Sequence, residues 1–329
     1  MAGRHVEEVK VTILGCGKLG TAILQGLLQS TNPELRVSHV TVTTKTLEGV
    51  DRIKKTIGFI DSKSPEVEFC NGDSTRAAEL ADIIIIGCKP KALSEILSEL
   101  PAPNGRKILI SLAGGVTLND LARVYRSTHP MTMTGDEVDP LIVRAIPNIA
   151  ASLQQSATVC SSLTQDGRDL TTRLFNMVGR TKWVAEEHMY TASALCASSL
   201  AFYATMVTAV ASSSEMPAED ALELAALAMQ GTASLVLAGR APEAVISQVA
   251  TPGGLHGGRA SHYGNTRCSR VVGLCYEGDH RSHENNGKGS NPIIIHDTKA
   301  ILQYFQLGLV YGNVGFIIKL QTTELTGFM

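Results

Sequence analysis

The stretch that most constrains this chain is residues 9–28, VKVTILGCGKLGTAILQGLL. An apolar run over residues 9–14 breaks into Gly15, Cys16, Gly17, Lys18, Leu19 and Gly20, and a helix-period run with Ile23, Leu24, Leu27 and Leu28 apolar comes next. The pattern predicts strand, tight glycine turn, helix. Gly15 permits the turn, Gly17 lets a pyrophosphate approach the backbone, and Gly20 lets helix and strand pack closely. The first helical turn then offers bare N–H groups and a positive dipole end to phosphates. A dinucleotide site is expected at residues 15–20. A purely structural glycine turn leaves the same trace, so the remainder of the chain has to discriminate.

Beyond residue 28 a strand–helix rhythm sets in. Residues 37–43 read as a second strand with 47–57 as its helix, and 67–70 as a short third strand. Ser74 is placed to cap the helix that runs to residue 80. The unbroken run Ile83, Ile84, Ile85, Ile86 is what a strand buried on both faces needs. Residues 107–111 and 141–145 read as further strands, and 125–140, polar and rich in Thr, Gly and Asp, as a surface loop. Strands alternating with helices imply a Rossmann-type, doubly wound parallel sheet in an α/β protein. The 329 residues exceed the roughly 250–300 at which single cores stop growing, so more than one domain is expected. The rhythm changes near residue 157, which divides the chain into a dinucleotide-binding domain over 1–157 and a helical domain over 158–254.

Composition excludes several partners. The net charge is −2 with no basic patch, so no nucleic-acid partner is expected. The first ten residues lack an apolar signal core. Residues 191–210 are apolar and long, yet their Ser, Thr and Ala content favours a buried or interface helix over a membrane span. Seven cysteines without a CxxC pair point to a reducing compartment, hence a cytoplasmic location.

The end of the second strand bears on the choice of cofactor. NAD readers place an acid there for the ribose hydroxyls. Here stand Thr43, Thr44, Lys45 and Thr46, with no acid before Glu48. Hydroxyls and a lysine suit a 2′-phosphate, so NADPH is the expected cofactor, with NADH as the alternative. Lys45 as a merely solvated lysine is the plainer reading. Two later small-residue turns fall where the ligand crevice of such a sheet should lie: Gly87, Cys88, Lys89, Pro90 after the isoleucine strand, and Leu112 with Gly114 after the next. Beyond residue 158 a short strand-like piece, 157–161, gives way to helices. Glu186 and Glu187 open an Ala/Ser-rich one, Pro217 begins another that runs towards Leu237, and 242–249 form a last short one. Small side chains allow close helix–helix approach, which suits a homodimer or higher homo-oligomer.

Taken in order, the segments GCGKLG (15–20), GCKPKAL (87–93), ISLAGGVTL (110–118), VRAIPN (143–148), ALCASSLAF (194–202) and ATPGG (250–254) resemble the pyrroline-5-carboxylate reductase family, eukaryotic and fungal members above all. The resemblance covers residues 9–254. It implies an NAD(P)H-dependent oxidoreductase acting on a C=N bond, which reduces 1-pyrroline-5-carboxylate to L-proline in proline biosynthesis. It further implies that Ser198, Ser199, Gly253 and Gly254 hold the substrate carboxylate, that Glu186 lies near the ring nitrogen, and that Ser74 and Gln248 contact the cofactor. No metal is required, because a protonated cyclic imine is already electrophilic. Where the family carries Ser-Gly-Ser-Gly-Pro-Ala, this chain has Cys196, Ala197, Ser198, Ser199, Leu200, Ala201. Where the family has a substrate-contacting threonine after ATPGG, Leu255 and His256 stand, which leaves His256 as the candidate proton donor.

Residues 255–329 show no helical periodicity and read as a divergent, poorly ordered tail, whose abrupt start fits an altered reading frame or retained intron. Its Cys268, Cys275, His280 and His283 match no zinc spacing. The competing reading is a catalytically impaired NADP-binding paralogue that acts only by association.

Overall fold

A computed structural model describes residues 6–58, 61, 64–100, 107–129 and 141–249. The chain divides into two compact units, residues 1–229 and 230–329.

The first unit is built on one eight-stranded sheet in the order β3-β2-β1-β4-β5-β6-β7-β8. Its strands are β1 (Glu7–Leu14), β2 (Leu35–Thr44), β3 (Glu66–Asn71), β4 (Ile83–Ile86), β5 (Ile108–Ser111), β6 (Leu141–Ile146), β7 (Ser156–Ser162) and β8 (Gly179–Trp183). All neighbours pair in parallel except β6 and β7, which are antiparallel. Parallel strands need crossovers, and these are α1 (Lys18–Leu28), α2 (Leu47–Ile57), α3 (Ser74–Glu79), α4 (Leu93–Glu99) and α5 (Leu118–Thr128). The β1–β4–β5 centre is a continuous apolar slab. Ile13, Ile83, Ile85 and Ile110 face one core with Ile23, Leu24 and Leu27 of α1. Leu14, Ile84, Ile86 and Leu109 face the other, with Leu97 of α4 and Leu121 of α5. Alternate residues of each strand feed opposite cores, as a sheet covered on both faces requires.

Four expectations need correction. The cap of α3 is Asp73, whose carboxylate accepts from the Arg76 N–H at 3.0 Å; Ser74 is the first helical residue. Two good capping residues are adjacent there, and the register of the turn decides between them. Residues Tyr125–Thr128 belong to α5, not to a loop, and Tyr125 is buried against the second core. His129 ends that helix; residues 130–140 lie outside the described residues. Past residue 157 the strand expected at 157–161 is present as β7, but it is followed by α6 (Arg168–Asn176) and an unexpected further strand, β8, of the same sheet. Finally, the Ala/Ser helix is not uniform. A 3-10 turn, Glu186–His188, leads into α7 (Met189–Ser193), a π-turn over Ala194–Ser198, and α8 (Ser199–Ala211). Helices α9 (Ala218–Leu237) and α10 (Pro242–Val249) complete the described chain.

Candidate active site

The opening glycine turn has the shape its residues predict. Gly15 sits at φ +73°, and a Cβ there would press on the Cys88 backbone at 3.2 Å. The turn is tied to the end of β2: the Gly15 N–H donates to Thr43 Oγ1 at 3.1 Å, and the Cys16 N–H to the Thr43 carbonyl at 2.9 Å. Gly20 packs on Cys16 and Ile13, so helix and strand meet there as expected. A Cβ on Gly17 would meet nothing within 4 Å, and Gly17 and Lys18 are exposed. No side chain caps α1. Its first N–H groups, at Lys18, Leu19 and Gly20, therefore stand at the positive end of the helix dipole without a side-chain cap. That is the arrangement a pyrophosphate needs.

Cys16 is buried, and that burial pushes its thiol up to about 11, against the smaller opposing effects of the Thr21 hydroxyl and Arg52. It is a packing residue, not a nucleophile. Arg52, which no sequence motif singles out, clasps the same turn. From α2 its Nη2 donates to the Cys16 carbonyl at 3.0 Å and its Nη1 to Thr21 Oγ1 at 3.4 Å. Only the β2–α2 crossover brings it there, and residue spacing gives no sign of it.

The threonines at the end of β2 are not free for a ligand as expected. Thr43 Oγ1 accepts from Gly15, Thr44 Oγ1 donates to the Thr46 carbonyl at 2.8 Å, and both residues are buried. Their hydroxyls shape the turn, and Thr46 caps α2 through Gly49. Lys45 is the exposed cation at this position. Its charge opposes the effect of burial on the Cys88 thiol, whose pKa is raised on balance. A Cβ on Gly87 would stand 3.0 Å from the Gly15 carbonyl, so the β1 and β4 turns lie side by side. Lys89 and Pro90 are exposed where a short 3-10 turn begins. After β5, Leu112 donates its N–H to the Ile86 carbonyl at 2.9 Å, and Gly114 is exposed with open space at its Cβ position. The turns after β1, β4 and β5 thus lie side by side at the carboxyl ends of neighbouring strands, where sheets of this kind bind their ligands.

Glu186 closes this region from the helical segment. Its Oε1 accepts from Arg144 Nη1 at 2.8 Å and from the Leu118 N–H, the first of α5, at 3.1 Å. Its Oε2 is buried without a partner. Arg144 lies on β6 opposite Ser111 of β5, with its side chain 8% exposed. An arginine inside the apolar strand LIVRAI is the signal that marks it. The pair Ser198 and Ser199 divides. Ser198 is exposed at the start of α8, whereas Ser199 is buried and donates to the Leu195 carbonyl at 2.6 Å. Ser74, partly buried, opens α3 beyond β3. Gln248, in the second unit, is exposed and accepts through Oε1 from Arg240 at 3.0 Å. Gly253, Gly254 and His256 lie outside the described residues, as does the 255–329 tail. No cluster of metal-ligating side chains occurs among the described residues.

An uncapped glycine turn at the head of a doubly wound sheet, with two further turns beside it, defines a nicotinamide-dinucleotide oxidoreductase. Residues 10–115 match the family described as NADP oxidoreductase, coenzyme F420-dependent, and residues 186–258 match pyrroline-5-carboxylate reductase dimerisation. A pyrroline-5-carboxylate reductase of Penicillium fellutanum is 34% identical over 274 residues, covering 76% of this chain and 82% of that one. The chain belongs to the pyrroline-5-carboxylate reductase family. Its fold is shared with the pyrroline-5-carboxylate reductase of Coxiella burnetii (TM-score 0.68, 22% identity, 85% of this chain and 99% of that one). It is shared also with that of Plasmodium falciparum, solved with NADP bound (TM-score 0.64, 16% identity, 85% and 98%).

Proposed function

We propose that this protein reduces the C=N bond of 1-pyrroline-5-carboxylate to give L-proline, with NADPH as the preferred reductant. The observation that carries the reading is the 34% identity to a reductase of that name over most of both chains. A nicotinamide dinucleotide, when bound, would supply the hydride that the imine carbon takes up, and the nitrogen would keep the proton it gained as an iminium. The chain's own work is positioning. The N–H groups of Lys18, Leu19 and Gly20 hold the pyrophosphate, and the bare Gly17 lets it approach. Lys45, with Arg52 beside the turn, meets the 2′-phosphate. Gly87, Cys88 and Gly114 present backbone, not bulk, to the nicotinamide end. Ser198 offers its hydroxyl to the substrate carboxylate. Arg144 and the Leu118 N–H fix one oxygen of Glu186, which leaves Oε2 to accept a hydrogen bond from the ring nitrogen.

The protein works as a homodimer or larger homo-oligomer. Leu195, Tyr203, Val210, Leu222, Leu224 and Leu227 are all exposed along the helical segment. The runs Glu186–Ala211 and Ala218–Leu237 are long and apolar enough to cross a membrane by length and composition. The match of 186–258 to a dimerisation family favours a second copy as the cover.

The test is NADPH oxidation followed at 340 nm with pyrroline-5-carboxylate, with NADPH binding followed separately by fluorescence. Turnover is expected. Binding without turnover would reject the reaction and favour the silent, associating paralogue. That second reading rests on one observation: the hydroxyl of Ser199 is turned inward to Leu195, in a segment that lacks the family's glycines and proline.

A further inference from the structure

The π-turn at Ala194–Ser198 is where the helical segment departs from regular geometry, and the candidate carboxylate-binding Ser198 stands at its end. A π-turn shifts the backbone ladder from i→i+4 to i→i+5, and such turns persist where something else holds them. Here the Ser199 N–H bonds the Ala194 carbonyl, and two side chains supply the rest. Ser199 Oγ donates to the Leu195 carbonyl at 2.6 Å. Asn148 Nδ2 donates to the Cys196 carbonyl at 2.7 Å, across 48 residues of chain.

Asn148 lies just past β6, is 5% exposed, and engages both polar atoms of its side chain. Oδ1 accepts from the Ala150 N–H at 2.9 Å and so caps the 3-10 turn Ile149–Leu153. Its own backbone N–H donates to Ser156 Oγ of β7 at 3.0 Å. The carbonyl of Ile146, two residues earlier, receives Cys196 Sγ at 3.5 Å. The end of β6 therefore grips Cys196 twice, once by its carbonyl and once by its thiol, and is itself pinned to β7.

We propose that Asn148 is a positioning residue for the substrate pocket. Its bond to the Cys196 carbonyl holds the π-turn in place and thereby sets where Ser198 presents its hydroxyl to a carboxylate. Both polar atoms of its side chain are taken by backbone, so it acts through the turn. This rests on the reaction proposed for the protein.

Two substitutions isolate the donor. Asn148→Asp keeps size and the Oδ1 cap but turns an acceptor toward Cys196. Asn148→Ser keeps a good cap without charge and is too short to reach the carbonyl. In the full-length protein, each variant is expected to raise KM for pyrroline-5-carboxylate about 10-fold, the worth of one neutral buried hydrogen bond. KM for NADPH should stay within about twofold, since the glycine turn is untouched, and amide exchange at residues 195–202 should accelerate. An unchanged KM for the imine acid overturns the proposal, as does an equal rise in both constants, which would mean general loosening. If the wild type binds NADPH but reduces no pyrroline-5-carboxylate, the reaction assignment fails by itself. Amide exchange then decides alone whether Asn148 holds the turn, and unchanged exchange at 195–202 rejects it.

Discussion

The sheet and the helical segment treat their apolar residues in opposite ways. In the sheet, Ile83, Ile85, Ile86 and Ile110 are completely buried between two layers of helix. On α9, Leu222, Leu224 and Leu227 remain 44–54% exposed, although that helix is largely apolar. One region completes its core from its own sequence. The other leaves its apolar side chains exposed among the described residues, and contiguous exposed apolar patches mark interaction sites. The sheet and the segment after residue 185 are joined at Glu186, which bonds Arg144 and Leu118, and at the π-turn, which Asn148 holds.

Substitutions can break or sharpen this contrast. The largest effect is expected at the join. Arg144→Met leaves the Glu186 carboxylate half-buried beside an apolar side chain, and should lower unfolding free energy by about 3 kcal/mol in denaturant titration. A loss below about 1 kcal/mol would show that the pair is not a structural link. Next, Leu227→Glu on α9 should weaken self-association by about 2 kcal/mol, read as a shift to monomer in light scattering across a dilution series. Its effect on folding should be small, so a matching fall in intrinsic stability would erase the distinction between the regions. Within the sheet region, Gly26→Ala drives a Cβ into the Ala151 carbonyl. About 1–3 kcal/mol should be lost from stability, and the oligomer should dissociate no more readily at a given folded concentration. The smallest effect is expected at the α2 cap, where Thr46→Ala removes the bond to Gly49. It should cost about 1 kcal/mol in thermal unfolding and leave both KM values unchanged.

Much of the sheet was legible because buried parallel strands spell themselves as apolar runs, and Ile83–Ile86 does so without interruption. The glycine turn was equally plain, since Gly15, Gly17 and Gly20 each answer a separate steric demand. β8 was not legible: its sequence GRTKW alternates with Arg180 and Lys182, and an edge strand covered on one face looks like a loop. The hydroxyls of Thr43 and Thr44 also fasten the backbone of the turn, a use that the sequence pattern does not separate from ligand binding. The Arg144–Glu186 pair and the Asn148–Cys196 bond join residues 42 and 48 positions apart, which local patterning does not reach. The family resemblance named Glu186 and Ser198 but not their supports.

The close seat of α1 has a kinetic meaning. Gly26 lets the helix rest directly on the backbone of the Ile149–Leu153 turn, and Gln154 Nε2 grips the Gly26 carbonyl at 3.2 Å. The helix whose first turn is proposed to receive the phosphates is thus braced from behind. Little conformational entropy is left to lose on association, so the rate of capture should follow diffusion and charge, not loop rearrangement. Stopped-flow binding of NADPH should accordingly show one concentration-linear phase that slows as salt is added.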